Sequence, residues 1–225
     1  DEVRNARTHM AAAYFAAHAE EWDFLRSLHV ADSEVEAKIA QILHSAPLGR
    51  VLDVGTGTGR IVELFAESAS HFVAVDNSPE MLRLARAKIA NFSADIASKV
   101  EIKLGDFNML PVGDGEFDTV IFHQVLHYAQ DPEAVIAEAI RTVADDGRLV
   151  IVDFAAHDHE ELRTVHAHAR LGFTDEFMRN AFSAHGLQMV HQAALESGAL
   201  IVKVWMGQKL SFATPRPKDN LRIVA

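Results

Sequence analysis

The chain has 225 residues, 49% hydrophobic and 24% charged, the balance of one globular domain with a sizeable core rather than of a disordered or fibrous protein. A formal net charge of −11 opposes affinity for phosphate-rich partners, so this segment alone is not expected to bind nucleic acid. With no cysteine it can form no disulfide, no thiolate zinc site and no cysteine nucleophile, and apolar runs such as 149–152 and 199–202 fall far short of the roughly 20 residues that cross a bilayer.

The chain opens at Asp1 without a charged, apolar and small-residue signal pattern, which leaves secretion unsupported and makes the cytoplasm the expected location. A segment upstream of Asp1 stays open. From Ala11 to Val30, the residues Tyr14, His18, Trp22, Leu25 and His29 recur at three- and four-residue spacing, the period of a helix with one partly aromatic face. A second helix is expected from about Ser33 to Leu43, broken by Pro47-Leu48-Gly49. Residues 1–48 therefore read as an N-terminal helical cap.

Strand and helix patterns then alternate, with strands at 50–54, 72–76, 100–104, 117–122 and 148–153 and helices at 60–67, 79–91 and 132–143. Repeated βαβ units predict a doubly wound α/β fold with a mainly parallel sheet and right-handed crossovers. After a histidine-rich insert at 157–170, a helix at 174–185 leads into strands at 188–194 and 200–205. The short link between those two strands allows only a hairpin, so the C-terminal pairing is expected to be antiparallel. Residues 49–208 form the main domain on this reading, and the basic, proline-containing segment 209–225 forms a tail for the surface or a partner. Such a tail against an acidic body would suit a homodimer contact.

The segment Val51-Leu52-Asp53-Val54-Gly55-Thr56-Gly57-Thr58-Gly59 sets an apolar strand directly before three alternate glycines and a helix. Glycines let the backbone turn tightly and approach a ligand where a Cβ would collide. Asp76 ends the second strand, the place from which an acidic side chain reaches the ribose hydroxyls of an adenosine ligand. The spacing is D-x-G-x-G-x-G rather than the dinucleotide G-x-G-x-x-G. A carboxylate at Asp53 would repel a pyrophosphate and suit a cationic ligand, which disfavours NAD. Taken singly, Asp76 could be a neighbour of a helix cap, Met81 a core residue and Asp106 a turn residue.

These residues resemble the class I S-adenosylmethionine (SAM)-dependent methyltransferases, over about Gly49 to Trp205. Gly55, Gly57 and Gly59 match that family's first motif and Asp76-Asn77-Ser78-Pro79-Glu80-Met81-Leu82 its ribose-binding segment. Gly105-Asp106-Phe107 matches the segment that reads the adenine edge, and Leu110-Pro111 with Phe117-Asp118 the approach to the fourth strand. The resemblance implies a Rossmann-like fold that holds SAM, or the product S-adenosylhomocysteine (SAH), through Asp53, Gly55, Gly57, Gly59, Asp76, Asn77, Met81, Gly105, Asp106, Phe107 and His123, with Met81 flanking the adenine.

His123-Gln124-Val125-Leu126-His127 follows the fourth strand, where the family places residues near the methionine end of SAM and the acceptor. On a short helix the two imidazoles would share one face. Gln124 stands where a zinc-protease H-E-x-x-H has its glutamate base, so metal-dependent hydrolysis is not expected; no metal ligand is assigned, and the histidine cluster is left open between catalytic, metal-binding and structural roles. His127 and His123 are the candidate proton acceptors by position. His157, His166, Tyr14 and Trp22 are candidates for the acceptor side, although each could equally be structural.

The segment 166–173, with Tyr14-Phe15 and Glu21-Trp22-Asp23, resembles a methyltransferase subgroup often joined to an ArsR-type winged-helix regulator. That narrower resemblance implies an upstream DNA-binding domain and an alternative role as a SAM- or SAH-sensing effector domain with little or no turnover. Arsenic methylation does not fit, since that chemistry holds arsenic with cysteine thiolates. With no basic stripe for a nucleic acid and no basic amphipathic helix for a membrane lipid, the expected acceptor is a small molecule.

Overall fold

In the computed structural model, the described residues are 14, 17–21, 32–196 and 199–210. Most of the helix expected at Ala11–Val30, with Trp22 and His29, and the tail beyond residue 210 lie outside them. Within that first segment, Ala19–Glu21 forms a single 3-10 turn.

Seven strands make one sheet in the order β3-β2-β1-β4-β5-β7-β6. The strands are β1 (Arg50–Val54), β2 (His71–Asp76), β3 (Val100–Leu104), β4 (Phe117–His123), β5 (Val143–Phe154), β6 (Leu187–Leu195) and β7 (Val202–Lys209). β1 pairs in parallel with both β2 and β4, so the strand order reverses between them and a crevice opens beyond their C-terminal ends. β6 and β7 pair antiparallel, as the short link between them predicts, and β7 also runs antiparallel to β5. β7 begins and ends later than the sequence suggests because its ladder to β6 runs from Val202 opposite Leu195 to Lys209 opposite Leu187.

The helices are α1 (Asp32–Leu43), α2 (Arg60–Phe65), α3 (Pro79–Ile89), α4 (Ala94–Ala97), α5 (Pro132–Thr142), α6 (Glu161–Val165) and α7 (Asp175–Ala184). Strand alternation sends successive side chains to opposite faces. Val51, Phe72, Ile121 and Val150 pack with Val35 and Ile39 of α1 and Val62 and Phe65 of α2. On the other face Leu52, Val73, Phe122 and Ile151 pack with Val135 and Ile136 of α5 and Met178 and Phe182 of α7. Helix starts follow local capping: Ser78, Asp131 and Thr174 each accept a hydrogen bond from the backbone N–H three residues on, and Pro79 and Pro132 occupy the first helical position.

One charge is buried at the N-terminal edge of the sheet, away from the crevice. Arg148 Nη2 donates to the carbonyls of Leu43, Ala46 and Pro47 at 3.1, 3.3 and 3.2 Å, and its Nε donates to Thr119 Oγ1 at 3.0 Å. The guanidinium thus gathers carbonyls at and just beyond the end of α1 and pins that end to β4 and β5. Burial pulls its pKa below the ordinary arginine value. Arg148→Met should lower stability in urea denaturation by about 1–3 kcal/mol, the usual cost of stranding buried polar groups, with ligand affinity at the opposite edge unchanged.

Candidate functional site

The turn after β1 is held from two sides. Gly55, Gly57 and Gly59 adopt φ values of 71, 54 and 85°, a region that costs most other residues strain. Gly55 N and Thr56 N both donate to Val75 O, at 2.8 and 3.0 Å, which continues the β1–β2 ladder into the loop. Gly57 N then donates to Asp76 Oδ2 at 2.8 Å, while Ser78 N donates to Asp76 Oδ1 at 2.9 Å. Burial raises the pKa of Asp76, opposed by these backbone hydrogen bonds.

Other residues named from the sequence gather beside this loop. Gly105 N donates to Asp76 O at 3.0 Å, so the segment Gly105-Asp106-Phe107 adjoins the acidic residue at the end of β2. Asp106 Oδ1 accepts from Asn108 N at 2.8 Å and Asn108 Nδ2 at 2.6 Å, fixing its own turn, and Phe107 packs against the core. Met81 is buried at the start of α3, with its backbone N donating to Ser78 Oγ; Asn77 is exposed. Asp53 is fully buried at the end of β1. Thr56, which the sequence reading passed over, has a buried Oγ1 without a hydrogen-bond partner among the described residues.

The segment after β4 closes the crevice. Space at Gly55 is taken by Val125, whose Cγ2 lies 2.3 Å from where a Cβ would stand, so the glycine loop and this segment touch. Gln124 has φ 54°, a strained conformation for a residue with a side chain, and its N donates to Val152 O at 2.7 Å. The expectation of one short helix carrying both His123 and His127 does not hold. His123 ends β4, the left-handed Gln124 breaks the chain direction, and Leu126–Tyr128 form a separate 3-10 turn.

His127 is 2% exposed. Its Nδ1 lies 2.8 Å from Asp153 Oδ1 and its backbone N donates to Asp153 Oδ2 at 3.2 Å. Asp153, at the end of β5, is a site residue that no sequence motif marks. Around His127 stand the rings of Tyr128, His168 and Phe154, at centroid distances of 4.1, 4.2 and 5.2 Å.

The array continues outward. His157 lies edge-on to Phe154, and His166 lies 6.3 Å from His168. The Tyr14 hydroxyl and His166 Nδ1 are 2.7 Å apart, which joins the N-terminal segment to the insert. Burial lowers the pKa of both His157 and His166, favouring neutral imidazoles at pH 7. No group of three or more His, Asp or Glu side chains among the described residues is arranged to hold a metal ion. The contact between loop and wall gives a test. Gly55→Ala should lower the denaturation midpoint by the equivalent of roughly 1–3 kcal/mol, since it combines left-handed strain with a clash against Val125.

Residues 46–197 match the family described as a methyltransferase domain. The chain is 30% identical over 194 residues to an uncharacterized 37.1 kDa protein in transposon TN4556 of Streptomyces fradiae, covering 82% of this chain and 54% of that protein. It is 35% identical over 161 residues to a phosphatidylethanolamine N-methyltransferase of Cereibacter sphaeroides, covering 68% of this chain and 76% of the relative. The fold matches that of a Burkholderia thailandensis 1,6-didemethyltoxoflavin-N1-methyltransferase solved with S-adenosylhomocysteine, with a TM-score of 0.65, 20% identity and 90% of each chain covered. No helix among the described residues is long and apolar enough to cross a membrane. The glycine loop, the half-buried Asp76 and the sheet order 3-2-1-4-5-7-6 thus accompany a sequence match over most of the chain, and the chain belongs to the class I SAM-dependent methyltransferases.

Proposed function

We propose that the protein transfers a methyl group from SAM to a small-molecule acceptor at the C-terminal edge of the sheet. The observation that carries this reading is the Asp76 carboxylate held by Gly57 N and Ser78 N at the mouth of the glycine loop. A carboxylate offers about four lone-pair sites, so Asp76 keeps acceptor capacity beyond its backbone donors, which suits two ribose hydroxyls. The buried Thr56 Oγ1, without a hydrogen-bond partner among the described residues, and the buried Asp53 carboxylate, suited to an ammonium group, fit the same ligand. When bound, SAM supplies an electrophilic methyl on a cationic sulfur. The chain's own residues align the two reactants and exclude water, effects that can remove about 7–11 kcal/mol of barrier.

His127 and His123 stand at the end of β4 as the candidate proton acceptors, with Tyr14, His157 and His166 as an outer wall. Met81 and Gly105-Asp106-Phe107 adjoin Asp76 on the other side and suit the adenine end. The alternative role, a SAM- or SAH-sensing domain of an ArsR-type regulator, needs no buried imidazole backed by a carboxylate, and this arrangement favours turnover.

The test is SAH release from SAM with a panel of small metabolites. Acceptor-dependent SAH formation, reduced about 10²-fold or more in His127→Gln as expected for loss of a proton acceptor, supports the enzyme. Ligand-dependent DNA affinity of the full-length protein without turnover would replace it with the sensor. The raised pKa of Asp76 also sets a pH dependence. Protonation removes a hydrogen-bond acceptor, so the KM for SAM should rise on acidification at a pH above the ordinary carboxylate range; a constant KM through that range would argue against Asp76 as the ribose anchor.

A further inference from the structure

We infer that Asp153 is a positioning residue that holds the His127 ring with its proton on Nδ1 and a free electron pair on Nε2, and that the acceptor is therefore a neutral compound that gives up a proton on methylation, as a hydroxyl compound does. This rests on the methyltransferase reading above and goes beyond it in naming Asp153 and the acceptor class.

The geometry leaves the ring little choice. A carboxylate only accepts hydrogen bonds, so the 2.8 Å contact places the proton of a neutral His127 on Nδ1, donating to Asp153 Oδ1. Asp153 is itself immobile: it is fully buried, Oδ1 also accepts from Phe154 N at 2.8 Å, and Oδ2 accepts from His127 N at 3.2 Å. The same carboxylate thus fixes both the ring and the backbone of the 3-10 turn that carries it. His127 Nε2, at the other end of the ring, is buried and has no hydrogen-bond partner among the described residues. Leaving such an atom without a partner is costly in a structural histidine, whereas a base must keep it for its substrate.

A base is needed only where the attacking atom loses a proton on methylation. A tertiary amine or a thioether has none to lose. The surroundings select further, since the rings of Tyr128, Phe154 and His168 pack about His127, and the one carboxylate bonded to it has its oxygens engaged by three donors. A neutral hydroxyl compound can be desolvated against these rings at modest cost, whereas an ammonium or a preformed anion cannot. In the step, the acceptor oxygen forms a bond to the methyl carbon as the carbon–sulfur bond breaks and its electron pair stays on sulfur. The O–H proton passes to His127 Nε2, and the resulting imidazolium lies against Asp153.

The test is nitrogen-15 spectroscopy of the imidazoles in the full chain with SAH added at mildly alkaline pH, the His127 signal being assigned by its loss in His127→Gln. The expected spectrum has His127 protonated at Nδ1 and not at Nε2. In Asp153→Ala no carboxylate faces Nδ1, so the ring is no longer held in this single tautomer and the spectrum should show the proton on Nε2 as well. In the acceptor panel, kcat should fall at least about 10-fold while the KM for SAM stays within about twofold. Thermal melting and SAM titration of the variant show that it is folded and loaded. A wild-type tautomer with the proton on Nε2, an unchanged tautomer and kcat in Asp153→Ala, or methylation confined to tertiary amines and thioethers would overturn the inference. Failure of SAM to bind in the same titration would instead strike the methyltransferase reading and leave the tautomer result standing separately.

Discussion

The hydrogen bond from Gly57 N to Asp76 Oδ2 is the contact on which the geometry of the site turns. It joins the loop after β1 to the end of β2, and the strand order of the sheet puts those ends side by side at the point where the connections diverge to opposite faces. A loop of ordinary residues could not make it, because the three glycines all take positive φ. Once the loop is bound there, Gly105-Asp106-Phe107 follows through Gly105 N on Asp76 O, and the wall beyond β4 follows through Val125 against Gly55. Both walls of the crevice are therefore built on one short turn.

The second half of the site depends on the parallel register of β4 and β5. His123 pairs with Val152, so the chain leaving β4 passes the end of β5, and Asp153 can take both the backbone and the ring of His127. The strain at Gln124 is the local cost of that path. Past it, rings pack against one another: Tyr128, Phe154 and His168 about His127, then His157 against Phe154, and His166 against Tyr14. Burial favours the neutral form of both His157 and His166. Arg148, at the far edge of the same strands, anchors α1 without entering the site.

The glycine loop and Asp76 were legible because their chemistry is local: an apolar strand, alternate glycines and an acidic residue at the next strand end are contiguous signals with a steric reason. The parallel order and the C-terminal hairpin were legible for the same kind of reason, since link lengths restrict topology. Asp153 was not, because its value lies in a cross-strand neighbour that only the β4–β5 register supplies. The split of His123 from His127 was hidden too, as no residue type announces a left-handed Gln124. Helix α6 within the histidine-rich insert spans only Glu161–Val165, too short for a period to show. Thr56 was passed over because a threonine between glycines carries no signal until its hydroxyl is seen buried with no partner among the described residues.

The most direct measurement is calorimetric titration of the 225-residue chain with SAM and SAH, in parallel with Asp76→Ala. A charge-assisted hydrogen bond of about 1.5–3 kcal/mol predicts binding of both ligands to the unaltered chain and a loss of roughly 10- to 100-fold in the variant. Equal affinity in the two proteins, or no binding of either ligand below millimolar concentration, would contradict the placement of SAM at the glycine loop and Asp76.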